Sequence, residues 1–300
     1  MVPLPASSQQ RVFITGCSSG LGRSTALLLA RAGMNVVATT RRTDDADQLR
    51  QITAKAGVSL RVVLLDLLDE QSIRDAVAGA AQQLGGIDVL INNAGVELIG
   101  PIEQTSDEEF RWQLDTNVVG TFQTTKAALP LLRASNHAKL IFISSVVGFA
   151  ARPFLGAYSA SKYAIEGLAE ALHFELQPFH ISVTLIEPGK FHSALGTKQR
   201  LAGNFTTNSI YHEHWQRFTT AVSQHLSPDD IPDPDMVAQA IRQVIDHPAP
   251  PLHLPVGTDA ELTALLRARA PFEPYAHRLT QRLSAQTPHT TPSTTDGGTT

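Results

Sequence analysis

Seven short runs of nearly continuous hydrophobicity, separated by helical stretches, constrain the fold of this 300-residue chain more than any other feature. The runs cover residues 11–15, 34–40, 60–66, 87–91, 139–144, 181–187 and 252–256. A strand with one face in water alternates apolar and polar residues. A continuously apolar strand must instead be covered on both faces, as in a parallel sheet between helices. Periodic helical segments such as 21–32, 70–84 and 158–177 lie between the runs, the last of them stopped by Pro178. The expected fold is therefore α/β, a doubly wound parallel sheet in a single domain. Ligands of such sheets bind beyond the carboxyl ends of the strands, where the strand order reverses, and function is to be sought there.

Chemistry-bearing residues gather at those ends. SASKYAIEGLAEAL sets Tyr158 and Lys162 four residues apart, on one helix face and one turn from each other. A fixed cation beside a phenol favours tyrosinate and makes the phenol a stronger acid. Ser145 stands thirteen residues before Tyr158, at the end of the apolar LIFIS. Its hydroxyl could bond the same substrate oxygen, leaving Tyr158 to exchange a proton with it. A solvated surface pair is the competing explanation for Tyr158 and Lys162 alone, and the surrounding motifs weigh against it. TGCSSGLG occupies 15–22 between a strand and a helical run, INNAG occupies 91–95, Asn117 lies in DTNVVGTF, and EPG occupies 187–189.

In order and distance these elements resemble the short-chain dehydrogenase/reductase family, over about residues 10–257. The resemblance implies a Rossmann-like sheet of seven strands in the order 3-2-1-4-5-6-7. It implies an oxidoreductase that moves hydride between a nicotinamide and a carbonyl or alcohol. In the reductive direction Tyr158 is then the proton donor, and Ser145 orients the carbonyl and stabilises the developing alkoxide. Lys162 binds the nicotinamide ribose and lowers the Tyr158 pKa from its ordinary ~10. Asn117 holds a water that links Lys162 to solvent. Ser144 is set aside, because on a strand it points to the other side.

Gly16, Gly20 and Gly22 supply turn geometry and a close backbone approach for a pyrophosphate, received by the N-terminus of the next helix. Ser18, Ser19 and Leu21 add hydroxyl and backbone contacts. By resemblance Asp66 and Leu67 flank the adenine, Asn93, Ala94 and Gly95 pass the adenosine ribose, and Pro188 and Gly189 border the nicotinamide. Ser193 stands where relatives usually carry a Thr, and keeps the hydroxyl.

The end of the second strand favours NADP(H) over NAD(H). A carboxylate there would bind the ribose diol and repel a 2′-phosphate, but the chain reads ATTRR, with Thr40 at the acidic position and Arg41 next. Arg suits bidentate, charge-assisted bonding to phosphate. Cations just before the helix that starts near Asp44 oppose its dipole, so simple solvation does not account for them.

A formal net charge of -4 provides no basic footprint for nucleic acid. No signal-like N-terminus and no apolar run of membrane-spanning length occur, and the single Cys17 suits a reducing compartment, so a cytoplasmic protein is expected. YHEHW places His212 and His214 two residues apart, unlike the usual four-residue spacing of helical zinc ligands and without a third ligand, so no metal site is expected. The expected organisation is an N-terminal extension over 1–9, the dehydrogenase/reductase domain over 10–257, a helical extension over 258–284 and a disordered tail over 285–300.

Residues 190–230, rich in aromatics, are expected to cover the substrate, a mainly apolar ketone or secondary alcohol. Val146, Val147, Phe149 and Ala150 contribute to that expectation. Homodimers or homotetramers, paired through helices near 116–132 and 158–177, are implied by the resemblance. A non-catalytic NADP(H)-binding regulator on the same fold is the alternative function, against which the intact Asn117, Ser145, Tyr158 and Lys162 argue. An epimerase or dehydratase acting on nucleotide sugars would call for different glycine spacing and a larger C-terminal domain.

Overall fold

The computed structural model describes residues 10–191, 199–225 and 232–269. The proposed N-terminal extension, Ser193, residues 270–284 and the proposed tail lie outside the described residues. Seven strands form one parallel sheet: β1 (Arg11–Ile14), β2 (Asn35–Thr40), β3 (Arg61–Leu64), β4 (Val89–Asn92), β6 (Lys139–Ile143), β7 (Ser182–Pro188) and β9 (His253–Val256). Their spatial order is β3-β2-β1-β4-β6-β7-β9, as expected for a doubly wound, Rossmann-like sheet. β1 pairs with β2 on one side and β4 on the other, so the reversal of strand order lies between the ends of β1 and β4.

Helices cover both faces because the strands are apolar on both. Along β1, Val12 and Ile14 pack into one core with Leu29, Val237 and Ile241, while Phe13 packs into the other with Val77, Leu132 and Ile165. That alternation is the period-two geometry of a strand read in buried side chains. Burying each large apolar side chain contributes roughly 1.5–3 kcal/mol. The first core layer holds α1 (Gly20–Arg31), α2 (Thr43–Lys55) and α8 (Asp235–Asp246); the second holds α3 (Glu70–Leu84), α5 (Gly120–Arg133) and α6 (Gly156–Leu176). α3 shows why the boundaries fall where they do. Asp69 accepts from the N–H groups of Gln71 and Ser72 at 2.8 and 3.2 Å, and the helix closes on Gly85 at φ 73°.

The remaining elements surround the carboxyl end of the sheet. α4 (Asp107–Leu114), started by a Ser106/Glu109 capping box, continues through a π turn at Asp115–Val119 into α5. A separate parallel pair, β5 (Glu97–Ile99) with β8 (Gln199–Leu201), was not expected from the sequence. α7 (His212–His225) and α9 (Thr258–Arg269) complete the rim. Among the described residues no helix is long and apolar enough to cross a membrane.

Candidate active site

The loops after β1 and β4 are stitched together before any ligand is considered. Thr15 Oγ1 accepts from the N–H groups of Asn93 and Ala94 at 3.0 and 2.9 Å, and Asn93 Nδ2 donates to the carbonyls of Thr15 and Gly16 at 2.8 and 3.0 Å. Two glycines are forced by this closeness. Gly16 has φ +73°, and a Cβ there would stand 2.7 Å from Ala94 Cα; one on Gly22 would stand 2.2 Å from Asn93 Nδ2. Ser19 occupies the N-cap of α1 without a capping side-chain bond. The first turn of α1 lines the cleft, and its backbone N–H groups fit the pyrophosphate of a dinucleotide.

A cleft of about 1120 Å³ runs from this turn across the sheet. It is lined by Gly16, Ser18, Ser19, Gly20, Leu21 and Gly22 at one end, and by Ser145, Tyr158 and Lys162 at the other. Arg41, Asp66, Leu67, Asn93, Ala94, Gly95, Pro188 and Gly189 line it as well. Thr40 is buried, with its hydroxyl donating to the Arg42 carbonyl at 3.2 Å, and Arg42 pairs with Asp44 at 3.3 Å. Arg41 and Arg42 both line the cleft, and among the described residues Arg41 has no ion-pair partner.

Ser145 caps a short 3-10 turn at Val146–Gly148, its Oγ accepting from the Val147 N–H at 3.4 Å. Tyr158 and Lys162 project from the first turns of α6 and are 8% and 7% exposed. Lys162 Nζ lies 5.7 Å from the centre of the Tyr158 ring and donates to the Ile143 carbonyl at 2.7 Å. Burial drives the ammonium down to about 8, against the opposing pull of Glu166 and Glu97.

The Tyr158 phenol departs from expectation. Its pKa is raised, first by burial and then by the charge of Glu97, with hydrogen bonding to Ser145 working the other way. Burial and the Glu97 charge decide the direction, although the Lys162 amine lies 5.7 Å from the ring centre.

Asn117 sits in the π turn but does not line the cleft. Its Oδ1 accepts from the Val96 N–H at 2.9 Å, and its Nδ2 donates to the Val96 carbonyl at 3.0 Å and to Ser161 Oγ at 3.1 Å. The side chain braces the loop after β4 against α6. Ser144, beside Ser145, donates instead to Glu166, which lies one turn beyond Lys162.

The expected apolar cover divides in two. Phe154, held at φ 64°, packs at 5.3–6.0 Å against Phe205, Trp215 and Phe218, and both Trp215 and Phe218 line the cleft. Phe191 lines the cleft too, but it is also packed into the core beside Val256. Val146 and Val147 line the cleft; Phe149 and Ala150 do not.

Sequence reasoning missed two acidic features. Glu97, on β5, is buried and lines the cleft. Glu166, Glu187 and His253 come together from α6, β7 and β9, with His253 Nδ1 2.7 Å from Glu187 Oε1 and 3.4 Å from Glu166 Oε2. Burial raises both carboxyls, and the charge of Glu187 raises Glu166 further. The four-residue step from Lys162 to Glu166 was a usable signal for Glu166; nothing in the sequence linked Glu187 to His253.

A doubly wound sheet with a glycine turn at its strand-order reversal and a Ser, Tyr and Lys in the same cleft is the architecture of a nucleotide-binding oxidoreductase. The family profile for short chain dehydrogenases matches residues 10–203, and the chain belongs to the short-chain dehydrogenase/reductase family. It is 36% identical over 278 residues to the uncharacterized oxidoreductase YusZ of Bacillus subtilis, covering 90% of this chain and 97% of that protein. It is 34% identical over 248 residues to a 3-ketodihydrosphingosine reductase of Bacteroides thetaiotaomicron, covering 83% of this chain and 88% of that protein. The crystal structure of a short-chain dehydrogenase from Streptomyces avermitilis superposes with a TM-score of 0.76 at 31% identity, over 91% of this chain and 95% of that one. The protein is an oxidoreductase enzyme.

Proposed function

We propose that the enzyme interconverts a mainly apolar ketone and its secondary alcohol with NADP(H) as hydride carrier. The observation that carries this reading is the shared lining of one cleft by Ser145, Tyr158 and Lys162 at one end and the glycine turn at the other. When bound, the nicotinamide supplies a hydride to the carbonyl carbon. The Tyr158 hydroxyl then gives its proton to the carbonyl oxygen, so one hydride and one proton turn ketone into alcohol, and Tyr158 recovers its proton from solvent. Ser145 holds the same oxygen and stabilises the charge that develops on it.

Lys162 Nζ lies 5.7 Å from the centre of the Tyr158 ring, and its ammonium is proposed to bind the nicotinamide ribose hydroxyls. With the Asn117 side chain engaged by Val96 and Ser161, a water in the proton path would rest on a backbone group of the π turn. Arg41 supports NADP(H) over NAD(H), because it is a guanidinium in the cleft with no ion-pair partner among the described residues. Ser193 is proposed to add a hydroxyl contact to the cofactor. Trp215, Phe218 and Val147 support an apolar substrate, and the reductase relative of a keto compound supports a ketone. Exposed Phe122 on α5 and Phe174 on α6 support pairing of two copies through these helices, a mass that sedimentation would measure.

The test is NADPH consumption by purified enzyme across a panel of apolar ketones and aldehydes, with the oxidised cofactor and matching alcohols in the reverse direction. Turnover of apolar ketones with formation of free NADP⁺ is expected. Activity confined to highly charged substrates would overturn the apolar reading.

A further inference from the structure

Glu166 lies buried against the strand end that carries Ser145, without a part in the transfer of hydride or proton. Its Oε1 accepts from the hydroxyl of Ser144, which is 3% exposed. The Ser144 N–H donates to the Ile186 carbonyl at 2.8 Å, so the backbone continues the sheet while the side chain turns to α6. The same two groups underlie the 3-10 turn at Val146–Gly148. A Cβ on Gly148 would stand 2.7 Å from Ser144 Oγ and 2.9 Å from Glu166 Oε1, and the Gly148 N–H closes the turn on the Ser145 carbonyl at 2.8 Å. Ser145 therefore lies between two residues, Ser144 and Gly148, that both rest on the Glu166 carboxyl.

Tyr158, Lys162 and Glu166 follow one another at four-residue steps along one face of α6. Each engages one of three consecutive residues at the end of β6. Tyr158 is hydrogen-bonded to Ser145, Lys162 Nζ donates to the Ile143 carbonyl at 2.7 Å, and Glu166 accepts from Ser144. The other Glu166 oxygen, Oε2, lies 3.4 Å from His253 Nδ1 on β9, so the carboxyl is fixed from both sides.

We infer that Glu166 is a positioning residue for carbonyl reduction: through Ser144 it sets the Ser145 hydroxyl against that of Tyr158, so that both reach one carbonyl oxygen. This rests on the reading that Ser145 and Tyr158 act on the carbonyl. A hydroxyl that stabilises charge only as the charge develops works through its position, and a misplacement of ~1 Å can cost about 10²-fold in rate. Without the bond to Glu166 the Ser144 side chain is free to rotate and the turn loses its support. Lys162 keeps its own bond to Ile143. The loss should therefore fall on kcat and spare NADPH affinity.

The experiment measures kcat, KM and NADPH affinity of the full chain with the ketone that wild type turns over best. Ser144→Ala removes the donor without adding bulk, and should lower kcat ~10-fold or more while NADPH affinity, read by nicotinamide fluorescence, stays within ~2-fold. Glu166→Leu should act alike, and Glu166→Gln, whose carbonyl oxygen can accept from Ser144, should recover most of the rate that Glu166→Leu loses. A role through Ser145 is tested in a second background: added to Ser145→Ala, Ser144→Ala should cost less than ~2-fold more. Equal losses in both backgrounds would overturn the inference, as would wild-type kcat in Ser144→Ala or a Glu166→Gln no faster than Glu166→Leu. Each of these results leaves the reductase reading intact. If Glu166→Leu does not fold, the Ser144 and Ser145 variants decide alone.

Should no ketone turn over, the reductase reading fails, and crystal structures of wild type and Ser144→Ala decide the role of Glu166. Ser145 Oγ should stand within ~3.2 Å of the Tyr158 hydroxyl in the first and beyond hydrogen-bond distance in the second. An equal separation in the two would overturn the inference.

Discussion

Lys162 Nζ donates to the Ile143 carbonyl at 2.7 Å, which fastens the amine of α6 to the strand end that delivers Ser145 two residues later. The ammonium is thereby held beside the Tyr158 ring at 5.7 Å from its centre. Strand end and helix are thereby joined beside the three side chains proposed to carry the chemistry, Ser145, Tyr158 and Lys162.

Removal of the phenolic hydroxyl tests the proposed proton donor. Tyr158→Phe keeps the ring, its burial and its contact with Lys162, so the fold and NADPH affinity should be preserved while kcat falls at least ~10²-fold. Steady-state kinetics and a fluorescence titration measure the two quantities separately. Near-normal turnover in this variant would remove Tyr158 from the mechanism.

The charge of Lys162 sets an alkaline limit. Burial brings its pKa from 10.5 to about 8, so the rate of carbonyl reduction should decline as pH rises through that value. Stability should move in the opposite sense. Because the folded pKa is depressed, the unfolded chain binds the extra proton between about 8 and 10.5, and wild type gains stability over that window. Lys162→Met lacks the titration, so its melting temperature relative to wild type should be highest below pH ~8 and should converge toward wild type by pH ~10. A pH-independent difference would show that the amine is well solvated and titrates as it does in the unfolded chain.

Cofactor preference should follow Arg41. A guanidinium bonded to the 2′-phosphate contributes roughly 1.5–3 kcal/mol, so Arg41→Ala should weaken NADPH binding about ten- to hundredfold and leave NADH nearly unchanged. Adding Thr40→Asp should reverse the preference, since Thr40 also lines the cleft and a carboxylate there accepts ribose hydroxyls and repels the phosphate. Titration with both reduced cofactors provides the comparison. A wild type that binds NADH as tightly as NADPH would show that Arg41 serves no phosphate.

The seven-stranded sheet was legible because each strand is apolar on both faces, and the glycine turn because it joins such a strand to a helix. Ser145, Tyr158 and Lys162 were legible through spacing, as residues of one helix and the strand before it. β5 and β8 were not: three-residue strands show no period, and Glu97 meets Gln199 across 102 residues. A single Glu in AGVELIG reads as a loop charge until the fold buries it. The Tyr158 pKa failed for another reason. Spacing places a cation near the phenol, but burial and a carboxylate from a different element decide the sign.

The raised Glu166 carboxyl leads to a stability test that is independent of the reaction. Glu166 faces Ser144 from the end of β6, Glu187 from β7, His253 from β9, and Lys162 and Glu170 from its own helix, with Glu170 3.6 Å from His253 Nε2. Burial outweighs the Ser144 hydroxyl and the nearby cations, so the Glu166 pKa in the folded protein stands above its ordinary 4.5. A carboxyl shifted this way contributes stability that is complete below 4.5 and is lost as pH rises through the raised folded value, toward neutrality. Glu166→Gln holds the neutral form permanently: its carbonyl oxygen can accept from Ser144, and its amide can donate to Glu187. Its melting temperature relative to wild type should therefore rise between pH ~5 and pH ~8, by an amount that reflects ~1.4 kcal/mol per pKa unit. Calorimetry of the two proteins across that range is the measurement. A difference that stays flat would mean that Glu166 is ionised throughout.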